Sequence, residues 1–232
     1  MRDDICTIPI SEAFENEGGC PICNMYKMVE DRILTYIMGA AMMEPDVRIE
    51  TNKKGFCINH YKKMLSMRGR LSLALMLDTH LSDTEKNKLN SSIFGVSVNK
   101  NVKSINKLEN SCFVCEKIEW GTSRMIDTLY KTYSESLEFK EIFEKTSNFC
   151  LPHYKLLLEG ANKQNLGKHA DKFSKTLHKI TSEYLKELEN DLKYYCSMYD
   201  YRNNKGEQTD WKNSKDSVER AISFLTGNVD VL

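Results

Sequence analysis

Proline and glycine are scarce in this chain, with four and eleven among 232 residues, so most of its length is free to be helical. Net charge is missing too. The 33 Lys and Arg are balanced by 33 Asp and Glu, which removes the overall field that would hold general nucleic acid or a membrane surface. No apolar run approaches the roughly 18 residues of a membrane span. The opening stretch, residues 1–10, has acidic residues early and no long apolar segment, so a secretory signal is not expected and the cytoplasm is the expected compartment. Enzyme signatures are lacking as well: there is no glycine-rich phosphate loop, no HExxH, no GxSxG and no Rossmann fingerprint. An enzyme is therefore not the first expectation.

What the chain does have is cysteine, eight in all, and six of them fall into a pattern written twice. The first copy is Cys20-Pro21-Ile22-Cys23 followed by Cys57-Ile58-Asn59-His60. The second is Cys112-Phe113-Val114-Cys115 followed by Cys150-Leu151-Pro152-His153. The step from Cys23 to Cys57 is 34 positions and that from Cys115 to Cys150 is 35. The flanks match as well, with Phe56 and Phe149 before the third cysteine and Tyr61-Lys62 and Tyr154-Lys155 after the histidine. In a reducing compartment, cysteines at this spacing point to metal rather than to disulfides.

Three thiolates and one imidazole form a complete tetrahedral shell for zinc. A Cys-x-x-His pair on the first turn of a helix projects both ligands from one face, and the helix N-terminus favours the thiolate. The expected ligands are Cys20, Cys23, Cys57 and His60 for one Zn2+ and Cys112, Cys115, Cys150 and His153 for a second. The near-equal gaps favour each repeat closing its own site over an interleaved arrangement in which each CxxC takes the other repeat's CxxH. Four protein ligands leave no open position, so a structural role is expected. An iron–sulfur cluster is the alternative cofactor, although cluster motifs usually pack three cysteines more closely. A thiol switch that forms disulfides and releases metal is a further option.

Apolar spacing predicts a helix from Pro21 through Met25, Met28, Ile33 and Ile37, ended by Pro45. Residues 44–54 read as a polar connector with a β-like run at Val47-Arg48-Ile49. A second helix starts at Cys57, with Gly69 able to kink or split it. Residues 82–110 read as the join between repeats, and the basic cluster Lys100, Lys103 and Lys107 reads as a solvated linker. In the second copy, helices are expected after Cys115, over 137–143 and from Cys150 to Gly160. The clearest helix spans 169–201, where Phe173, Leu177, Ile180, Tyr184, Leu188, Leu192, Tyr195 and Tyr199 form a stripe expected to face the bundle core. A last amphipathic helix over 211–225 stops at Gly227. Residues 1–19 read as an irregular arm, with at most a turn at 11–15.

The remaining candidates have bland readings. His80, His169 and His178 are expected to be structural. Cys6 and Cys196 are expected to be small buried hydrophobes. The segment from Met42 to Arg48 is expected to be a helix-ending loop with local charge pairing, a ligand or partner contact being the alternative.

The segments Cys20–Cys23, Met43-Glu44-Pro45-Asp46-Val47-Arg48, Gly55–His60 and Leu73–His80 together resemble a family of bacterial proteins from Firmicutes that is known only as a domain of unknown function. The resemblance covers most of the chain, including the second CxxC…CxxH. It agrees with metal binding and brings no activity or substrate, but it marks Met43–Arg48 and Asp78–His80 as surfaces of interest.

The expected architecture is all-α, a helical bundle made of two related CxxC…CxxH units, residues 1–95 and 96–232, the second carrying a long helix and a C-terminal helix. The expected role is that of a zinc-binding interaction or adaptor protein whose partner is another protein. A redox- or metal-responsive regulator is the runner-up and a metalloenzyme comes third.

Overall fold

A computed structural model describes residues 8–15, 18–89, 91–92, 95–200, 202 and 210–227. The fold is all-α, as expected. In chain order the helices are α1 (Ile8–Glu15), α2 (Pro21–Met38), α3 (Pro45–Lys54), α4 (Ile58–Ser66), α5 (Arg70–Lys88), α6 (Val98–Glu109), α7 (Phe113–Glu135), α8 (Leu137–Glu144), α9 (Leu151–Gly160), the single turn α10 (Lys163–Leu166), α11 (Ala170–Ser197) and α12 (Ser217–Thr226). Residues 91–92 and 95–96 make one short antiparallel pairing.

Several helix limits follow from single residues. Gly69 takes φ +107 and splits α4 from α5, a left-handed geometry that costs glycine little. Gly227 takes φ +70 as the C-cap of α12, and Ser136 caps α8 by accepting from the Phe139 amide. Three expectations fail here. Residues 45–54 are helix, not a connector. Pro45 opens α3 at its first turn, where its missing amide is harmless, and Asp46 and Lys53–Lys54 stand at the favourable ends of the helix dipole. The Lys100, Lys103 and Lys107 cluster lies on α6, not on a linker. That helix buries no residue fully and turns only Asn101, Ser104, Ile105 and Leu108 partly inward, although Val98, Val102, Ile105 and Leu108 recur at steps of three and four, a helical pattern legible in the sequence. The arm at 1–19 contains a real helix, α1, with Ile10, Ala13 and Phe14 buried.

The chain divides into two compact units, but not at residue 95. One comprises Met1–Lys27 with Ser123–Leu232, the other Met28–Thr122. The boundaries fall inside α2 and α7, so each unit takes one CxxC and one CxxH from different repeats. In the smaller unit the core is Leu34, Ile37, Met38, Met64, Leu73, Met76, Phe113 and Val114. In the larger one it is aromatic. Phe143 packs on Phe149, Phe173 and Tyr133 with centroids 4.8–5.3 Å apart, and Phe14 packs on Phe139 at 5.2 Å. Edge-on and tilted ring pairs of this kind add to the area they bury. Phe173, Leu177, Ile180 and Leu188 of α11 are buried, so its stripe faces the core over most of its length, whereas the helix ends at Ser197 and Tyr199 beyond it is exposed.

Candidate metal centres

All four ligand pairs sit at helix N-termini. Cys20 and Cys112 immediately precede α2 and α7, and Cys23 and Cys115 lie in the first turns. Cys57 and Cys150 are the N-caps of α4 and α9, with nearly identical backbones (φ −73, ψ 163 and φ −67, ψ 158). In each case the carbonyl of the leading cysteine accepts the first helical bond, from Asn24, Glu116, Tyr61 and Tyr154 at 2.8–3.1 Å. The three-residue spacing then returns the second ligand to the same side of the helix. Two such N-termini meet at each centre, and their exposed amides and dipoles favour thiolate there.

The eight expected ligands converge in two groups of four, with all donor atoms of a group within 4.8 Å of one another. The groups are interleaved. Cys20 and Cys23 meet Cys150 and His153; Cys57 and His60 meet Cys112 and Cys115. The expectation that each repeat closes its own site is overturned. The helix after each CxxC explains this: 18 residues in α2 and 23 in α7 advance the chain about 27 and 35 Å at 1.5 Å per residue. The repeat's own CxxH is thereby delivered away from its CxxC.

In the first centre Sγ of Cys23 lies 3.6 Å from Sγ of Cys150. Nδ1 of His153 lies 3.1, 3.2 and 3.6 Å from the sulfurs of Cys150, Cys23 and Cys20. All three cysteines are buried. The Tyr26 ring packs on His153 at 5.0 Å, and the Cys23 thiol donates to the Gly227 carbonyl at 3.3 Å. In the second centre Nδ1 of His60 lies 3.1, 3.2 and 3.5 Å from the sulfurs of Cys57, Cys112 and Cys115, and Sγ of Cys57 lies 3.9 Å from Sγ of Cys115. Here Cys112 is buried, Cys57 half-buried and Cys115 exposed. Nε2 of His60 pairs with Glu30 at 2.9 Å, and Lys63 pairs with the other oxygen of Glu30 at 2.8 Å.

The electrostatics show crowding of like groups. Burial pushes the Cys112 thiol up, but the His60 ring and the neighbouring amides and thiol outweigh it and bring it down to about 6. Burial pushes His60 down, yet its contacts with Cys112 and Glu30 raise it to about 10. Cys115, buried in part and facing the Cys112 sulfur, is pushed up to about 12. In the other centre the Cys20 thiol is held well below its ordinary value, because contacts with Cys150, Cys23 and His153 overcome burial. Cys23 is raised by its contacts with Cys150 and Cys20, and Cys150 is pushed up to about 12, chiefly by Cys20. One thiol in each group ionises readily and its neighbours then resist, a conflict that a divalent cation relieves.

Sequence reasoning did not mark Glu30, Lys63, Tyr26 or Gly227 as parts of these centres. No local pattern distinguishes them, since their roles depend on which helices pack together. The other candidates resolve structurally. Arg48 donates from Nη2 to the Leu75 carbonyl at 2.7 Å and to Thr79 Oγ1 at 2.6 Å. Nδ1 of His80 lies 2.8 Å from the Asn52 carbonyl oxygen. Thus Pro45–Arg48 and Asp78–His80 belong to helices α3 and α5, which dock on each other, while Met43 ends a 3-10 turn and Glu44 is the N-cap of α3. His178 pairs with the Tyr154 hydroxyl at 2.8 Å. Cys196 is exposed rather than buried, and Cys6 lies outside the described residues.

A family model described as a family of unknown function (DUF6062) matches residues 1–231. The chain belongs to this family. No curated protein matches it, and no solved structure does. Among the described residues no helix is long and apolar enough to cross a membrane.

Proposed function

We propose that the protein binds two Zn2+ ions, one in each Cys3His centre, and that both are structural. The observation behind this reading is the spacing of the donor atoms. A regular tetrahedron with zinc–sulfur bonds of about 2.3 Å and zinc–nitrogen bonds of about 2.05 Å has sulfur–sulfur edges of about 3.8 Å and sulfur–nitrogen edges of about 3.5 Å. One sulfur–sulfur separation in each centre is 3.6 and 3.9 Å respectively, all donor atoms of a centre lie within 4.8 Å of one another, and the sulfur–nitrogen separations run from 3.1 to 3.6 Å. Such spacing suits a single ion better than an iron–sulfur cluster, whose ligands attach to different irons and stand further apart. It also excludes sulfurs already joined as disulfides, which lie about 2.0 Å apart. With four protein donors, neither centre keeps a position for a water or substrate, so these are clamps rather than catalysts.

The biological role that fits is an interaction protein whose partner is another protein. An exposed apolar groove of about 560 Å³ between α4, α5 and α6, lined by Ile58, Tyr61, Leu65, Leu77 and Leu81, supports it, as does the absence of net charge. The unpaired cysteines fit a reducing compartment such as the bacterial cytoplasm. Elemental mass spectrometry and a visible spectrum on anaerobically purified protein test the metal reading. About two zincs per chain and a colourless sample are expected. Iron with acid-labile sulfide, or protein without metal, overturns it.

A further inference from the structure

We propose that the Cys57–His60–Cys112–Cys115 centre is a peroxide-oxidised thiol site, in which Cys115 is attacked first and Cys57 resolves it as a disulfide, while the Cys20–Cys23–Cys150–His153 centre stays intact. This rests on the two-zinc reading above.

The two centres hold the same donors and differ in cover. Cys20, Cys23 and Cys150 are 3, 3 and 1% exposed. The Tyr26 ring lies over His153, and a Cβ on Gly227 would stand only 3.4 Å from both Cys150 Sγ and Pro152. Among the described residues these sulfurs are covered. In the second centre Cys115 is exposed and Cys57 half-buried, with Cys112 behind them. Oxidation follows thiolate character and exposure; zinc holds all three cysteines as thiolates, so exposure decides between them and Cys115 is the sulfur a hydroperoxide meets first.

Cys57 is placed to finish the reaction. Its sulfur lies 3.9 Å from that of Cys115, and side-chain rotation closes this to a bond of about 2.0 Å. The segments bearing the two sulfurs are tied independently of the ion. The Phe113 amide donates to the Gly55 carbonyl at 3.0 Å, Ser111 donates to the Lys54 carbonyl at 2.7 Å, and Lys54 pairs with Glu116 at 2.7 Å. Loss of zinc therefore leaves Cys57 beside Cys115.

The steps balance. The Cys115 thiolate attacks one peroxide oxygen, the O–O bond breaks, and the leaving hydroxide takes a proton to become water, leaving a sulfenic acid. The Cys57 thiolate attacks that sulfur and displaces hydroxide, which takes a second proton. Two thiolates, one H2O2 and two protons become a disulfide and two waters; the sulfur pair loses two electrons and the peroxide gains them. The ion, left with two protein ligands, departs as hydrated Zn2+. The new disulfide then spans the helix starts that zinc had joined.

The test uses the full-length zinc-loaded chain carrying Cys196→Ser, which removes a separate exposed thiol. Hydrogen peroxide is added in steps. Released zinc is read with a chromogenic chelator, and each cysteine is followed by isotope-coded alkylation and disulfide mapping. The expected result is release of about one zinc per chain, a Cys57–Cys115 bond, and Cys20, Cys23 and Cys150 protected at least about tenfold longer. Simultaneous release from both centres, or earlier release from the Cys20 centre, overturns the proposal. A bond from Cys115 to any other cysteine overturns the role of Cys57. A chain that carries no zinc before peroxide is added overturns the two-zinc reading itself, a result distinct from the order of thiol loss.

Discussion

Glu30 holds the His60 ring at Nε2, 2.9 Å from its Oε1, and so turns Nδ1 toward the three thiols of the second centre. A carboxylate on the far nitrogen of a ligating histidine fixes its tautomer and raises its basicity. Glu30 is itself held below the ordinary carboxylate range, first by the His60 bond and then by Lys63 against the opposing effect of burial. Glu30→Gln keeps the size and loses the charge. Zinc affinity of that centre is expected to fall about 10–100-fold, with the Cys20 centre unchanged. A competitive chelator titration shows this as the separation of two binding steps; a single unchanged curve would count against the role given to Glu30.

Cys112 and His60 set a pH dependence in chelator-stripped protein. The Cys112 thiol is lowered to about 6, so its contribution to stability is present above the ordinary thiol range and is lost as pH falls through about 6. His60 is raised to about 10, so its contribution is present below the ordinary histidine range and is lost as pH rises through about 10. The thiolate–imidazolium pair therefore stabilises the stripped fold between these limits and fades on both sides. Ultraviolet thiolate absorbance of the stripped chain should show one group titrating near 6. His60→Asn should return that group toward about 8.5; an unchanged inflection in that variant would show that another group sets it.

Arg48 docks one helix on another within the fold. Its bonds to the Leu75 carbonyl and Thr79 join α3 to α5, and charged hydrogen bonds of this kind are worth about 1.5–3 kcal/mol each at most. Arg48→Met should lower stability by about 2 kcal/mol in chemical denaturation while both zincs remain bound. Loss of zinc without loss of stability would contradict this assignment.

Gly160, the last residue of α9, has no room for a side chain. A Cβ there would overlap the Tyr130 hydroxyl, which donates to the Leu157 carbonyl at 3.0 Å. Gly160→Ala should cost about 1–3 kcal/mol through overpacking. Tyr130→Phe alone should cost about 1 kcal/mol for the lost hydrogen bond. Together they should cost less than the sum, because removing the hydroxyl makes the space. An additive double mutant in thermal melts would show that the overlap is relieved elsewhere.

Much of this fold was legible because its signals are local. The ligand pairs, the α11 stripe and the Gly69 and Gly227 limits each depend on a few neighbouring residues. What was not legible depends on where the helices go. Pro45 reads equally as a helix stop or a helix start, and the structure uses it to open α3. Glu30 carries no local mark of its bond to His60. The pairing of the centres is the largest such case, since matched gaps along the chain say nothing of the distance covered by α2 and α7.

That pairing yields a prediction with opposite outcomes for the two arrangements. Cys23 and Cys150 share a centre, whereas Cys23 and Cys57 do not. The double variant Cys23→Ser with Cys150→Ser damages one centre and should retain about one zinc per chain. The double variant Cys23→Ser with Cys57→Ser damages both and should retain almost none. If each repeat closed its own site, the two results would be exchanged. Because each comparison removes two cysteines, general loss of thiols cannot produce the difference, and metal content by elemental mass spectrometry reads it directly. Should either variant unfold, chelator competition on the four single variants gives the same answer. Cys23→Ser and Cys150→Ser should weaken one binding step, and Cys57→Ser and Cys112→Ser the other.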